Sequence, residues 1–248
     1  MSVTIAAIAL LPGLAFGSFV NVVAARIPQR LSVVSPGSAC MACATPLAWY
    51  DNVPLLSFAL LRGRCRHCQA AIPWRYPLVE ATTALLVAAC VLRFGLTWDA
   101  AVGAFFCAAL VTISATDAEL HIIPNRVVVP AAAAVLAANT ILHPSVEWAA
   151  AGLGAALFLL AAALAYPAGM GMGDVKLALL LGVAVGRTVP VAMMVGMITA
   201  LVPSIVLFAR HGSAARKLKI PFGPFLALGG VVALFAGQAL LDAYLRLL

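Results

Sequence analysis

Two of the chain's eight acidic residues stand where a charge is costly. Asp117 follows the apolar run Ala100 to Thr116 and precedes another apolar stretch. Asp174 closes Gly171-Met172-Gly173-Asp174, directly before a further one. A carboxylate at the edge of the hydrocarbon costs up to a few kcal/mol and marks a functional candidate. Two such groups close together share a proton. The pair then offers a charged base to activate water and a neutral acid to polarise a carbonyl. The pair titrates as a unit, so neither role belongs to one residue. Gly171 and Gly173 leave the backbone free to bend at the helix start and let a substrate chain approach. The plainer alternative makes both residues solvated interfacial groups or N-caps. Glu119 either supports the pair or faces water. Lys176 reads as a charge partner or, preferably, as a topology anchor, and His121 as interfacial. Asp51, Asp99, Glu147 and Asp242 fall in loops or at interfaces.

The second constellation is Cys40-Met-Ala-Cys43 and Cys65-Arg-His-Cys68. Each CxxC brings two thiolates to one tetrahedral ion, and two pairs complete a closed site of the zinc-ribbon kind. That reading is preferred to a redox role or free thiols, because a cytoplasmic loop disfavours disulfides. Arg62, Arg64 and Arg66 are expected to help keep the thiolates ionised. His67 reads as a surface residue, and Cys90 and Cys107, inside apolar runs, as small core residues.

These groups need elements to hold them. The chain is 65% hydrophobic and 9% charged, with a mean hydropathy of +1.10. Lipid must be the solvent for most of it. Its apolar runs are continuous and do not alternate, which excludes a β-barrel. The expected fold is all-α, a polytopic membrane bundle of about eight helices. The segments fall near 2–25, 77–92, 100–116, 127–142, 149–166, 175–186, 188–209 and 222–245, the sixth being the weakest. Residues 1–25 form a first spanning helix with no basic region of a cleavable leader. Residues 26–76 form a small four-cysteine insert with too little apolar content for a large core. Residues 77–248 form the remaining bundle. The net charge of +7 sits in short loops, which indicates topology and contact with anionic lipids, not nucleic acid. Arg26, Arg30, Arg62, Arg64, Arg66, Arg75, Arg126, Lys176, Arg210, Arg216, Lys217 and Lys219 fall on one side. Arg93, Arg187 and Arg246 fall on the other. The positive-inside rule then places the insert and both carboxylates on the cytoplasmic side, with both termini outside.

With the motifs laid out, the chain resembles the prepilin peptidases, or type IV leader peptidases. The residues that carry this are Gly17-Ser-Phe-Val-Asn-Val-Val, Arg26-Ile-Pro28, Trp49-Tyr-Asp-Asn-Val-Pro-Leu-Leu56, Leu61-Arg-Gly-Arg-Cys-Arg-His-Cys68 and Pro73-Trp-Arg-Tyr-Pro-Leu-Val-Glu80. Gly-x-Gly-Asp at 171–174 and Ile220-Pro-Phe-Gly-Pro-Phe225 complete the series. The resemblance runs from about residue 11 to 230. It implies that Asp117 and Asp174 are the pair of a GxGD intramembrane aspartic peptidase in a bacterial inner membrane. The substrates implied are prepilins and pseudopilins, cut at the cytoplasmic face. It also implies zinc on the four cysteines, and methylation of the new N-terminus by S-adenosylmethionine. Asn21, Arg26, Asp51, Asn52, Arg75 and Glu80 are the matched polar residues of the methyltransferase region, and no glycine-rich Rossmann fingerprint accompanies them. The family usually has Asp where this chain has Glu119, and often an acid near Asn125.

Three other readings compete. A proton-coupled transporter would show inverted repeats and mid-membrane carboxylates, and no convincing repeat is present. A peptidase of the signal-peptide-peptidase kind lacks the double CxxC. A zinc-stapled membrane assembly factor would need no carboxylate pair.

Overall fold

The computed structural model describes residues 3–166, 170–212 and 220–247. Arg216, Lys217 and Lys219, used above to orient the bundle, lie outside the described residues. The architecture is all-helical: α1 Val3–Arg26, α2 Leu56–Leu60, α3 Arg75–Phe94, α4 Trp98–Leu120, α5 Asn125–Leu142, α6 Glu147–Ala165, α7 Met172–Val185, α8 Val189–His211 and α9 Gly223–Leu245. Short 3₁₀ turns occupy Trp49–Asn52 and Gly186–Thr188. Seven stretches are long and apolar enough to cross a bilayer, and one of them, Met172–Arg210, holds both α7 and α8. The chain is a multi-pass membrane protein.

α7 explains the weak sixth segment. Its 14 residues rise about 21 Å, short of the ~30 Å hydrocarbon core. It is buried through Val175, Leu177, Ala178, Leu180, Leu181, Val183 and Val185, and packs on α5, α6 and α9. A helix apolar all round and walled by protein need not reach both lipid faces.

The chain packs as two compact units, Met1–Ala115 and Thr116–Leu248. In the first, α1 and α3 cross closely. An added Cβ at Gly17 would stand 2.6 Å from the Glu80 Cα, so only glycine lets the backbones approach this far. Near that crossing, Asn21 Nδ2 donates to the Tyr76 carbonyl at 3.1 Å. In the second unit, α8 and α9 meet where an added Cβ at Gly229 would overlap the Ala192 carbonyl. Buried Asn139 ties α5 to α7 by donating to the Val183 carbonyl at 2.8 Å. Pro12, Pro130 and Pro203 sit inside helices, as neighbouring helices allow in membranes.

Candidate active site and four-thiol centre

In the second unit the end of α4 and the starts of α5, α7 and α9 build one polar corner. Asp117 lies in the last turn of α4 and is 6% exposed. That is the wrong pole of its own helix for an anion. The mismatch is offset by α9: Gly223 N–H donates to Asp117 Oδ2 at 2.8 Å. Gly223 opens α9, so this N–H has no helical acceptor, and Pro224 has no N–H to offer beside it. A Cβ on Gly223 would stand 2.8 Å from the same oxygen.

Asp174 is seated differently. It lies in the first turn of α7, the favourable pole. Gly171 N–H donates to Asp174 Oδ2 at 3.2 Å, and Asp174 N–H donates back to the Gly171 carbonyl at 3.1 Å. Gly173 packs on Ile123, where an added Cβ would lie 2.9 Å from the Ile123 Cβ. The two carboxylates lie within electrostatic reach of each other. Lys176 Nζ donates to Asn125 Oδ1 at 2.8 Å, joining α7 to the first residue of α5. Glu119 is exposed on α4. His121 ends the turn after α4 at φ +53°, its N–H bonded to the Asp117 carbonyl at 2.9 Å.

In the first unit the four cysteines converge. Both CxxC turns have one design: Cys40 and Cys65 each take the N–H of the residue four further on, Ala44 and Gln69. Ala44 (φ +56°) and Gln69 (φ +59°) both hold the left-handed conformation. Antiparallel bridges Ala39–Pro46 and Arg64–Ala71 close the two turns. All four Sγ atoms lie within 4.8 Å of one another, and Cys40 and Cys68 are 3.8 Å apart. Sulfurs at about 2.3 Å from one tetrahedral ion stand about 3.8 Å apart, so the donor set fits a metal. The charge distribution agrees. Hydrogen bonding from Thr45, whose Oγ1 is 3.2 Å from Cys43 Sγ, brings that thiol down to about 6. Backbone N–H groups of Cys68 and His67 lower Cys65. Ala70 N–H favours the Cys68 thiolate, yet desolvation and the three neighbouring thiols push it up to about 11. The cluster resists its full negative charge without a cation.

Arg66 does not serve the thiolates as expected. It forms a fork on Asp51, 2.7 Å at the shortest, and stacks over Tyr50 at 5.4 Å. The pairing holds Asp51 below the ordinary carboxylate range. Beside the centre is a cavity of about 640 Å³, lined by Asn21, Arg26, Asp51, Asn52 and Glu80, with Ser57 and Tyr76. Arg75 stacks over Tyr76 at 5.0 Å and is not in that lining. Several of these groups also hold the insert. Arg26 donates to the carbonyls of Ser32 (3.1 Å) and Gly37 (3.0 Å), and Glu80 accepts the Leu55 N–H at 2.9 Å.

Residues 11–94 match the Bacterial Peptidase A24 N-terminal domain, and residues 104–209 match the Type IV leader peptidase family. A prepilin leader peptidase/N-methyltransferase of Bacillus subtilis is 32% identical, over 95% of this chain and 96% of its own length. The chain belongs to the type IV leader peptidase family. A Pseudomonas aeruginosa protein of the same name is 32% identical over 96% of this chain and 92% of its own. One from Myxococcus xanthus is 47% identical over 118 residues, which is 48% of this chain and 35% of that protein. No solved structure matches. Within this leader peptidase, the residue that side-chain chemistry passed over is Gly223. Its only signal in the sequence is the Gly-Pro step in Ile220-Pro-Phe-Gly-Pro-Phe225, which combines an unblocked N–H with a missing Cβ.

Proposed function

We propose that this chain cuts the basic leader from type IV prepilins or pseudopilins, with Asp117 and Asp174 as an aspartic dyad, and then methylates the new N-terminus. The observation that carries the reading is the matched seating of the two carboxylates. Each accepts a backbone N–H from the start of a helix, within electrostatic reach of the other. One proton is shared by the pair. The ionised member takes a proton from water as it attacks the scissile carbonyl, and the protonated member donates a hydrogen bond to the carbonyl oxygen. Gly223 and Gly171 hold the carboxylates in register through their N–H groups, and Lys176 with Asn125 braces the α7 start. Glu119 is carried as a supporting acid because of its place two residues beyond Asp117.

The cavity around Asn21, Arg26, Asp51, Asn52 and Glu80 is proposed as the methyl-donor site. Its volume lies inside the range of small-molecule sites, ~300–1,000 Å³, and the Glu80 carboxylate suits a sulfonium. S-adenosylmethionine, when bound, supplies the methyl group. Arg75, stacked outside, is proposed to support the wall through Tyr76. Cys40, Cys43, Cys65 and Cys68 are proposed to hold structural zinc, which crosslinks the two turns. The protein is placed in a bacterial inner membrane, insert and dyad facing the cytoplasm, as the loop arginines support.

The test is cleavage of a prepilin by detergent-solubilised protein with labelled S-adenosylmethionine present. Asp117→Asn and Asp174→Asn should each abolish cleavage. Cleavage surviving in both would sink the dyad, and a cleaved product without label would sink the methyltransferase.

A further inference from the structure

The turn that leads into the second CxxC pair presents a surface with no part in either reaction. A groove of about 610 Å³ is lined by Phe58, Arg62, Gly63, Arg64, Ile72 and Trp74, among others. Its floor is fixed by backbone bonds: Gly63 N–H to the Phe58 carbonyl (2.8 Å), Arg64 N–H to the Leu61 carbonyl (3.1 Å) and Ile72 N–H to the Gly63 carbonyl (2.7 Å). Gly63 sits at φ +69°, with the Phe58 ring 3.1 Å from where a Cβ would be. Phe58 in turn packs on Trp74, ring centres 4.9 Å apart. Two arginines therefore flank one immobile glycine beside an aromatic wall. Neither has an ion-pair partner among the described residues. The single acid of residues 26–76, Asp51, is taken up by Arg66.

The depth of this groove is set by α3. That helix has 20 residues, which rise about 30 Å and need their whole length to cross the hydrocarbon. Trp74, its N-cap, therefore lies at the membrane–water boundary, where tryptophan is enriched, and the residue is 77% exposed. Leu60, at the end of α2 beside the groove, is 72% exposed. A groove that is cationic at one edge, apolar along its wall and level with the headgroups matches one occupant. We infer that it holds an anionic phospholipid, the phosphate between Arg62 and Arg64 and the upper acyl chain along Phe58 and Trp74. Arginine forks suit phosphate oxygens, and a cationic peptide would be repelled.

The full-length protein, reconstituted in nanodiscs, can report this occupancy through Trp74. Phosphatidylglycerol or phosphatidylcholine with brominated acyl chains is included at equal mole fraction, and the Trp74 signal is the difference between wild type and Trp74→Phe. Brominated phosphatidylglycerol should quench that signal about threefold more steeply than brominated phosphatidylcholine. Arg62→Gln/Arg64→Gln should lose the preference while keeping wild-type metal content, and Arg62→Lys/Arg64→Lys should keep part of it. Equal quenching by the two lipids in wild type would overturn the site. So would a preference unchanged in the glutamine variant, or one abolished by inorganic phosphate in solution. None of these readings depends on catalytic activity, so the lipid site and the enzymatic reading fail separately.

Discussion

The insert, residues 27–74, and the helices of residues 116–248 hold their polar groups in opposite ways. The insert is made of turns. Of the non-glycine residues at positive φ among those described, Arg30, Ala44, Leu55, Arg62 and Gln69 belong to it, and only His121 lies outside. Each left-handed residue with a Cβ costs about 1 kcal/mol, and the insert has little buried apolar surface to offset them. Its order comes from tethers: Arg26 and Glu80 reaching in from α1 and α3, Arg66 on Asp51, and four converging thiols. The helices of the second unit carry little such strain. They are held by backbones in near contact, at Gly229 against Ala192 and Gly182 against Ala151. One region therefore converges on four thiols whose spacing fits a metal, and the other relies on the absence of side chains.

That contrast breaks most visibly at the thiols. Structural zinc contributes about 10–16 kcal/mol of binding free energy, which becomes folding free energy when the apo form is disordered. Cys65→Ser removes the one buried thiol of the four. It should leave the insert open to trypsin near Arg62 and Arg64 while the helical melting transition stays in place. Loss of both together would show that the regions are not independent. The converse break is Gly229→Val, which forces a side chain into the Ala192 carbonyl. Overpacking of this kind costs about 3 kcal/mol, so the helical transition should fall while metal content is retained. Gly223→Ala sharpens the comparison, because the three atoms nearest its new Cβ all belong to the Asp117 side chain, Oδ2 at 2.8 Å first. A displacement of about 1 Å at a reacting group can cost ~10²-fold in rate. Cleavage should therefore drop about that far, with the melting temperature and methyl transfer to an already cleaved pilin nearly unchanged. Equal losses in stability and rate would make Gly223 a packing residue and nothing more.

The helices were the legible part, because lipid fixes their length and polarity before any packing is chosen. The expected segments 127–142 and 222–245 became Asn125–Leu142 and Gly223–Leu245. α7 was legible as apolar and short, at 175–186, but its burial was not, since its shell is protein and the sequence does not say what surrounds a helix. The cysteines could be grouped by spacing alone, because CxxC fixes ligand geometry locally. The cavity could not: Asn21 and Glu80 meet through the α1–α3 crossing, which depends on Gly17 and not on either polar residue. Gly223 escaped notice because its contribution is an N–H and a vacancy, neither of which a residue type advertises. Arg66 was misread because a guanidinium beside two cysteines suggests thiolate support, whereas folding delivers Asp51 to it from another turn.

The smallest expected effect concerns that same pair. Arg66 holds Asp51 ionised below the ordinary carboxylate range, and the arginine itself is held more firmly protonated. A carboxylate whose folded pKa is depressed stabilises the fold fully above its unfolded value, about 3.9. That contribution is lost as pH falls through the depressed folded value. The protease resistance of the insert should thus exceed that of Arg66→Gln by a constant margin from neutral pH to about pH 4. The margin should close below that point, because protonating Asp51 removes what the variant already lacks. Selective ¹³C labelling of the aspartate carboxyls gives the direct measurement: the Asp51 midpoint should move up in Arg66→Gln. The Arg66 side chain is half exposed, and exposed pairs are screened by water and salt. The margin should accordingly shrink in high salt, whereas protection from the four thiols should not. A margin insensitive to both salt and acid would mean that Arg66 holds the insert by stacking on Tyr50 instead of by its charge.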